Sequence, residues 1–280
     1  MLETRQIRKV VEAALDEDAP WGDLTSQTLV PASAVATAAL TAREAGVFAG
    51  AEVWVVAMTT LDPSVEVTLH VADGDRFEAG AVLADVTGPA RAVLQAERVG
   101  LNLVQRMTGI ATLTARYVEA VAGHDVRIAD TRKTTPGLRA LERHAVRCGG
   151  GHNHRYSLSD AVMAKDNHLA VVGDLTAALR RARAELPHTT HIEVEVDRLE
   201  QLDAVLAADA AGTIMLDNFS LDELRRGVEV VAGRAVVEAS GGITLDTIAD
   251  VAATGVDVIS VGALTHSVRA LDLGLDVVVS

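Results

Sequence analysis

A chain of 280 residues with 39 acidic and 25 basic side chains carries a formal charge of −14. That balance excludes the extended cationic face needed for non-specific binding to nucleic acid or an anionic membrane. A single cysteine, Cys148, excludes an internal disulfide framework and an all-cysteine metal site, and no apolar run approaches the roughly 18–20 residues of a membrane span.

The opening MLETRQIRKVVEAALDEDAP is interrupted by charge throughout and is no signal peptide. Ile7, Val10, Val11, Ala14 and Leu15 give it the spacing of an amphipathic helix, and a soluble cytoplasmic protein is expected. VEVTLHV (65–71) alternates like a strand, and AVLADV (81–86) follows a glycine turn. The surrounding stretch 71–88 has the outline of a biotinyl- or lipoyl-type hairpin, but it holds no lysine to modify, so a carrier is excluded. GPARAVLQAERVGLNLVQRMTG predicts a helix with proline near its start and Gly109 near its end. Gln95, Arg98, Asn102 and Arg106 share one face of it, read here as solvated.

After residue 120 apolar runs recur at VRIAD (126–130), HIEVEV (191–196), TIMLD (213–217), RAVVEAS (234–240) and VDVISVG (256–262). Between the later runs lie helical patterns, with Asp174, Ser220 and Thr244 where N-caps belong. Strands alternating with helices predict a parallel sheet, and repeats of about 20–25 residues without a long linker favour a barrel.

Each run ends in polar residues or glycines. The first leads into Asp130, Thr131, Arg132 and Lys133; HIEVEV presents Glu193 and Glu195 on one acidic face; the next runs end at Asp217-Asn218, Ser240-Gly241-Gly242 and Ser260-Val261-Gly262. Lys165, in AVMAKDNHL, fits the same rhythm. The carboxyl ends of parallel barrel strands converge on one mouth, which places a site there. The two serine–glycine loops have the character of phosphate cradles. Glu195 and Asp217 are candidate hard-oxygen ligands for Mg²⁺, or acceptors for ribose hydroxyls. Against these acids stand Arg132, Lys133, Arg155 and Lys165; the chain has only three lysines, and two are in this set. His152 and His154, with Cys148 nearby, lack a convincing further zinc ligand. His168 and His266 read as hydrogen-bonded structural histidines. A Schiff-base aldolase using Lys133 or Lys165 is the rival chemistry.

The motifs EDAPWGDLTS, AERVGLNLVQRMTGIAT, DTRKTTPGLRALERHAVRCGGGHNHR, LSDAVMAKDNH, EVEV, MLDNF, EASGGI and ISVGALTHS together resemble the quinolinate phosphoribosyltransferase family over essentially the whole chain. The resemblance implies an N-terminal α/β sandwich domain (1–110, joined by 266–280) and an open α/β barrel (111–265), the type II phosphoribosyltransferase arrangement. It implies homodimers or assemblies of dimers that join quinolinate to phosphoribosyl pyrophosphate with Mg²⁺, releasing pyrophosphate and carbon dioxide to give nicotinate mononucleotide for NAD biosynthesis. Carried over by motif, Thr131, Arg132, Lys133, His154, Arg155 and Lys165 hold quinolinate and the pyrophosphate. Arg98 resembles an arginine supplied to the partner subunit's site. Glu195 and Asp217 lie near ribose and metal, and with Lys133 are the expected catalytic residues. The loops of Ser240, Gly241 and Gly242 and of Ser260, Val261 and Gly262 take the 5′-phosphate. Two positions depart from the family's pattern: Ala164 stands for a bulkier aliphatic residue, and Arg143-His144 for a common lysine–tyrosine pair. A paralogue accepting another heteroaromatic acid is the close alternative.

Overall fold

The computed structural model describes residues 2–165, 168 and 171–279. The chain forms two compact units, Met1–Ala115 with Thr134–Gly150 and Leu264–Ser280, and Arg116–Lys133 with Gly151–Ala263. The segment 134–150, inside the span expected for the barrel, groups with the first unit.

In the first unit, α1 (Thr4–Asp18) buries Ile7, Val11 and Leu15, a stripe spaced at one helical turn that faces inward while its charges stay wet. A short α2 (Leu24–Leu29) is capped by Asp23, whose side chain accepts from the backbone N–H groups of Thr25 and Ser26. β1 (Val35–Ala42) and β2 (Gly46–Val47) precede α3 (Ala51–Thr59), which buries Val53, Trp54, Val56, Ala57 and Met58. β3 (Glu66–Leu69), β4 (Arg76–Phe77) and β5 (Val82–Pro89) follow, and β12 (Leu273–Val279) returns from the end of the chain. The main sheet is antiparallel in the order β12-β1-β5-β3; β2 and β4 pair separately. Alternation along β1 turns Ala36, Ala38, Leu40 and Ala42 into the core.

Two readings of the long helix need correction. α4 (Ala90–Ala120) runs through Gly109 instead of ending there. A Cβ on Gly109 would lie 2.2 Å from the Arg269 carbonyl oxygen, so the glycine serves a close backbone approach. Arg106 is not solvated: its guanidinium donates to Glu142 (Nε–Oε1 2.8 Å), to Thr135 Oγ1 at 2.7 Å and to the Thr265 carbonyl at 2.9 Å. Glu142, on α5 (Arg139–Cys148), is buried and needs that cation.

The second unit holds six parallel strands: β6 (Arg127–Ala129), β7 (Val162–Ala164), β8 (Ile192–Val196), β9 (Thr213–Asp217), β10 (Val236–Ser240) and β11 (Val258–Ser260). Their order is β6-β11-β10-β9-β8-β7. Each strand from β7 to β11 lies beside its successor, and β6 pairs with β11 but not with β7, so the sheet is an open α/β barrel. The intervening helices are α6 (Leu175–Glu185), α7 (Leu202–Ala208), α8 (Leu221–Val231) and α9 (Ile248–Ala252); α10 (Ala263–His266) follows β11. Asp174 and Ser220 cap α6 and α8 as expected, while the N-cap position of α9 is Thr247 and not Thr244; the Thr247 hydroxyl accepts from the Thr244 N–H. β9 is buried along Thr213–Leu216, the sign of a strand covered on both faces.

Candidate active site

The carboxyl ends of the six strands deliver their side chains to one cavity of about 340 Å³ within the second unit. β6 leads into Thr131, Arg132 and Lys133; β7 into Lys165; β8 supplies Glu195; β9, β10 and β11 close on Asp217, Ser240 and Ser260. His154, Arg155, Met163 and Met215 complete the lining. Ten of the residues expected from the sequence therefore meet in one place.

Charges are paired where they are near opposite partners. Lys165 Nζ donates to Glu195 Oε2 at 2.5 Å, so its ammonium is held in an ion pair. Asp217 accepts from Asn218 Nδ2 at 2.7 Å. Arg132 and Arg155, by contrast, are near enough to repel. Burial first, and the Arg132 charge next, hold the Arg155 guanidinium below its ordinary range. The Arg155 fork is fixed by donation from Nη1 to the Ala161 carbonyl at 2.9 Å, and Arg132 Nε is buried without a protein acceptor among the described residues. Two guanidinium groups held against their own repulsion suit a planar anion with more than one carboxylate.

The loop that carries His154 is built from beneath by Asp130, which is fully buried. Its Oδ1 accepts from the His154 N–H at 2.7 Å and its Oδ2 from Asn153 Nδ2 at 2.6 Å. His154 Nδ1 accepts from the Arg155 N–H at 2.7 Å, so the ring's fixed proton is on Nε2. Nε2 lies 3.0 Å from Glu193 Oε2 and 3.7 Å from Glu238 Oε2. Burial opposes charge on His154, but the Glu193 hydrogen bond and the carboxylates of Glu193, Glu238 and Asp130 outweigh it and raise the imidazole. Burial, reinforced by the Glu193 charge, pushes Glu238 up to about 7. Glu238 is the component that sequence reading missed, its signal being one acid inside the apolar run RAVVEAS; Asp130 was placed at its strand end but given no role.

The remaining expected residues fall outside the lining. Gly241 and Gly242 follow Ser240 with φ of 93° and 59°, a left-handed turn; a Cβ on Gly241 would lie 2.2 Å from Asn218 Oδ1. Val261 is buried and its N–H donates to the Ala129 carbonyl at 2.9 Å, so that amide is engaged in the barrel wall and not open to a phosphate. Gly262 follows it. Arg98 is exposed on α4 in the first unit. His168 Nδ1 accepts from the Lys165 N–H at 3.0 Å, and His266 Nδ1 pairs with Ser267 Oγ at 2.6 Å, local roles consistent with structural histidines.

Comparison with known proteins gives this geometry a family. Residues 23–108 match the quinolinate phosphoribosyl transferase N-terminal domain, and residues 110–276 its C-terminal domain. The chain belongs to the quinolinate phosphoribosyl transferase family. Its relatives include the nicotinate-nucleotide pyrophosphorylase [carboxylating] of Mycobacterium leprae, 48% identical over 278 residues, 96% of each chain. The probable nicotinate-nucleotide pyrophosphorylase [carboxylating] of Bacillus subtilis is 44% identical over 275 residues, 98% of this chain and 94% of that one. The crystal structure of NadC from Streptococcus pyogenes superposes with a TM-score of 0.95 at 40% identity, covering 100% of this chain and 99% of the other.

Proposed function

We propose that this quinolinate phosphoribosyl transferase family member transfers phosphoribose from phosphoribosyl pyrophosphate to quinolinate with decarboxylation, giving nicotinate mononucleotide, pyrophosphate and carbon dioxide in NAD biosynthesis. One observation carries the reading: Arg132, Lys133, Arg155 and Lys165 share a single cavity with Glu195, Asp217 and two strand-end serines.

The reaction follows from the charges. Arg132 and Arg155, repelling each other in isolation, grip the adjacent carboxylates of quinolinate and aim its ring nitrogen at the anomeric carbon. His154, held from behind by Glu193, fixes that wall of the pocket. As the bond to pyrophosphate breaks, the sugar becomes oxocarbenium-like; Glu195 and Asp217 face it, while Lys133 and Lys165 balance the departing phosphates. The nitrogen, once alkylated, is cationic and stabilises the electron pair left on the adjacent ring carbon as its carboxylate departs as carbon dioxide; that carbon then takes up a proton from solvent. No covalent enzyme intermediate is required. Ser240 and Ser260 line the end of the pocket that we assign to the phosphate, and the left-handed Gly241–Gly242 turn follows Ser240 directly.

Two carboxylates on one cavity wall are hard oxygen donors that fit Mg²⁺, which binds through one or two acids together with substrate phosphates. Glu195 and Asp217 would hold the ion, and its chemistry there is charge neutralisation of the leaving pyrophosphate. Arg98, exposed on α4, is the arginine we assign to a second copy's site in a homodimer. Among the described residues no helix is long and apolar enough to cross a membrane.

The test is to supply Mg²⁺ and phosphoribosyl pyrophosphate with either quinolinate or nicotinate as acceptor and to follow nicotinate mononucleotide. Product from quinolinate alone supports the reading. Product only from nicotinate, or none from either, overturns it.

A further inference from the structure

The first unit contains a second cluster of chemically capable side chains that the transferase reaction does not use. Asp73 lies in the turn between β3 and β4, and His144 and Cys148 lie four residues apart on α5. Their ligand atoms all fall within 4.8 Å of one another. Spacing of four on a helix places an imidazole and a thiol on one side, one turn apart, as in helical zinc chelates. Asp73 is oriented from behind: its Oδ1 accepts from the N–H groups of Gly50 (2.7 Å) and Ala51 (2.9 Å) at the start of α3. That leaves Oδ2 for His144 Nε2, at 2.6 Å.

We propose that Asp73, His144 and Cys148 form a binding site for a thiophilic divalent transition metal of the Zn²⁺ type. One sulfur, one nitrogen and one oxygen donor make a tetrahedral set with the fourth position open to water. Thiolate and imidazole select against Mg²⁺ and Ca²⁺. The two amides on Asp73 Oδ1 are the outer contacts that fix a ligating carboxylate. The Asp73 and His144 side chains are 26% and 27% exposed, so an ion enters directly from solvent. On binding, the Cys148 thiol loses its proton to solvent, and the electron pair left on the thiolate sulfur forms the S–metal bond. The His144 proton moves from Nε2 to Nδ1, freeing Nε2 to ligate.

The experiment uses the full-length protein stripped with a chelator and titrated with Co²⁺, reading the thiolate-to-metal charge-transfer absorption. The proposal expects a saturable band at one ion per chain, displaced by Zn²⁺ but not by excess Mg²⁺. It expects the band to vanish in Cys148→Ser, and binding to weaken by about 100-fold or more in His144→Ala. Protection of wild-type Cys148 from alkylation by Zn²⁺ gives a reading that needs no variant to fold. No band, a band of unchanged affinity in His144→Ala, or unaltered alkylation with Zn²⁺ would each overturn it; the last two leave Asp73–His144 as an ordinary surface ion pair. Both variants should retain phosphoribosyl transfer, so failure here is separate from failure of the proposed function.

Discussion

Replacing Glu238 with glutamine gives a direct reading of the charge balance beneath the active site. Glu238 is 3% exposed, its Oε1 has no hydrogen-bond partner among the described residues, and Glu193 exerts the largest like-charge influence on it. Its pKa is raised from 4.5 to about 7. An acid raised by folding is protonated more readily in the native state, so its burial costs little at low pH and destabilises as pH climbs from the unfolded value through the folded one. A rise of this size is worth about 3 kcal/mol in full, most of which develops between about pH 5 and about pH 8. Glutamine reproduces the shape of the protonated acid and cannot ionise. Urea unfolding of the wild type and Glu238→Gln at both pH values therefore expects a small advantage for the variant in acid, growing to about 3 kcal/mol at the alkaline end. Parallel pH dependence of the two proteins would refute the reasoning.

Three further substitutions test separate parts of the account. Lys133→Ala removes an exposed cation of the pocket and should lower kcat by about 100- to 1000-fold with an unchanged circular dichroism spectrum; near-normal turnover contradicts its role. Arg132→Lys keeps the charge but loses the planar fork, so KM for quinolinate should rise about 10- to 100-fold while KM for phosphoribosyl pyrophosphate changes little. Arg106→Ala leaves Glu142, whose side chain is 1% exposed, without its cation and should cost about 3–5 kcal/mol in denaturant; a loss below about 1 kcal/mol would show that the pair is not structural.

The barrel was legible because buried parallel strands leave an unambiguous trace. TIMLD is β9 residue for residue, an apolar run ended by the acid that enters the pocket. The N-terminal sheet was harder: β1 is half alanine and acquires its strand character from pairing with β5 on one side and β12 on the other. β12 lies more than two hundred residues away in sequence, a separation that no local pattern encodes. Gly109 misled because a helix-ending glycine and a close-approach glycine look the same until Arg269 is placed against it. The cations and acids of the pocket were legible because strand ends gather them. Asp130 and Glu238, which shape the site without lining it, are distinguishable only once His154 is located between them and Glu193.

The central claim is that one barrel mouth couples sugar transfer to loss of the carboxylate next to the ring nitrogen. The most direct test uses quinolinate carrying isotope in that carboxylate, with phosphoribosyl pyrophosphate and Mg²⁺, counting labelled carbon dioxide against pyrophosphate. Equal amounts of the two products, both abolished together by Lys133→Ala, are expected. Pyrophosphate without labelled carbon dioxide, or carbon dioxide released without phosphoribosyl pyrophosphate, would contradict it.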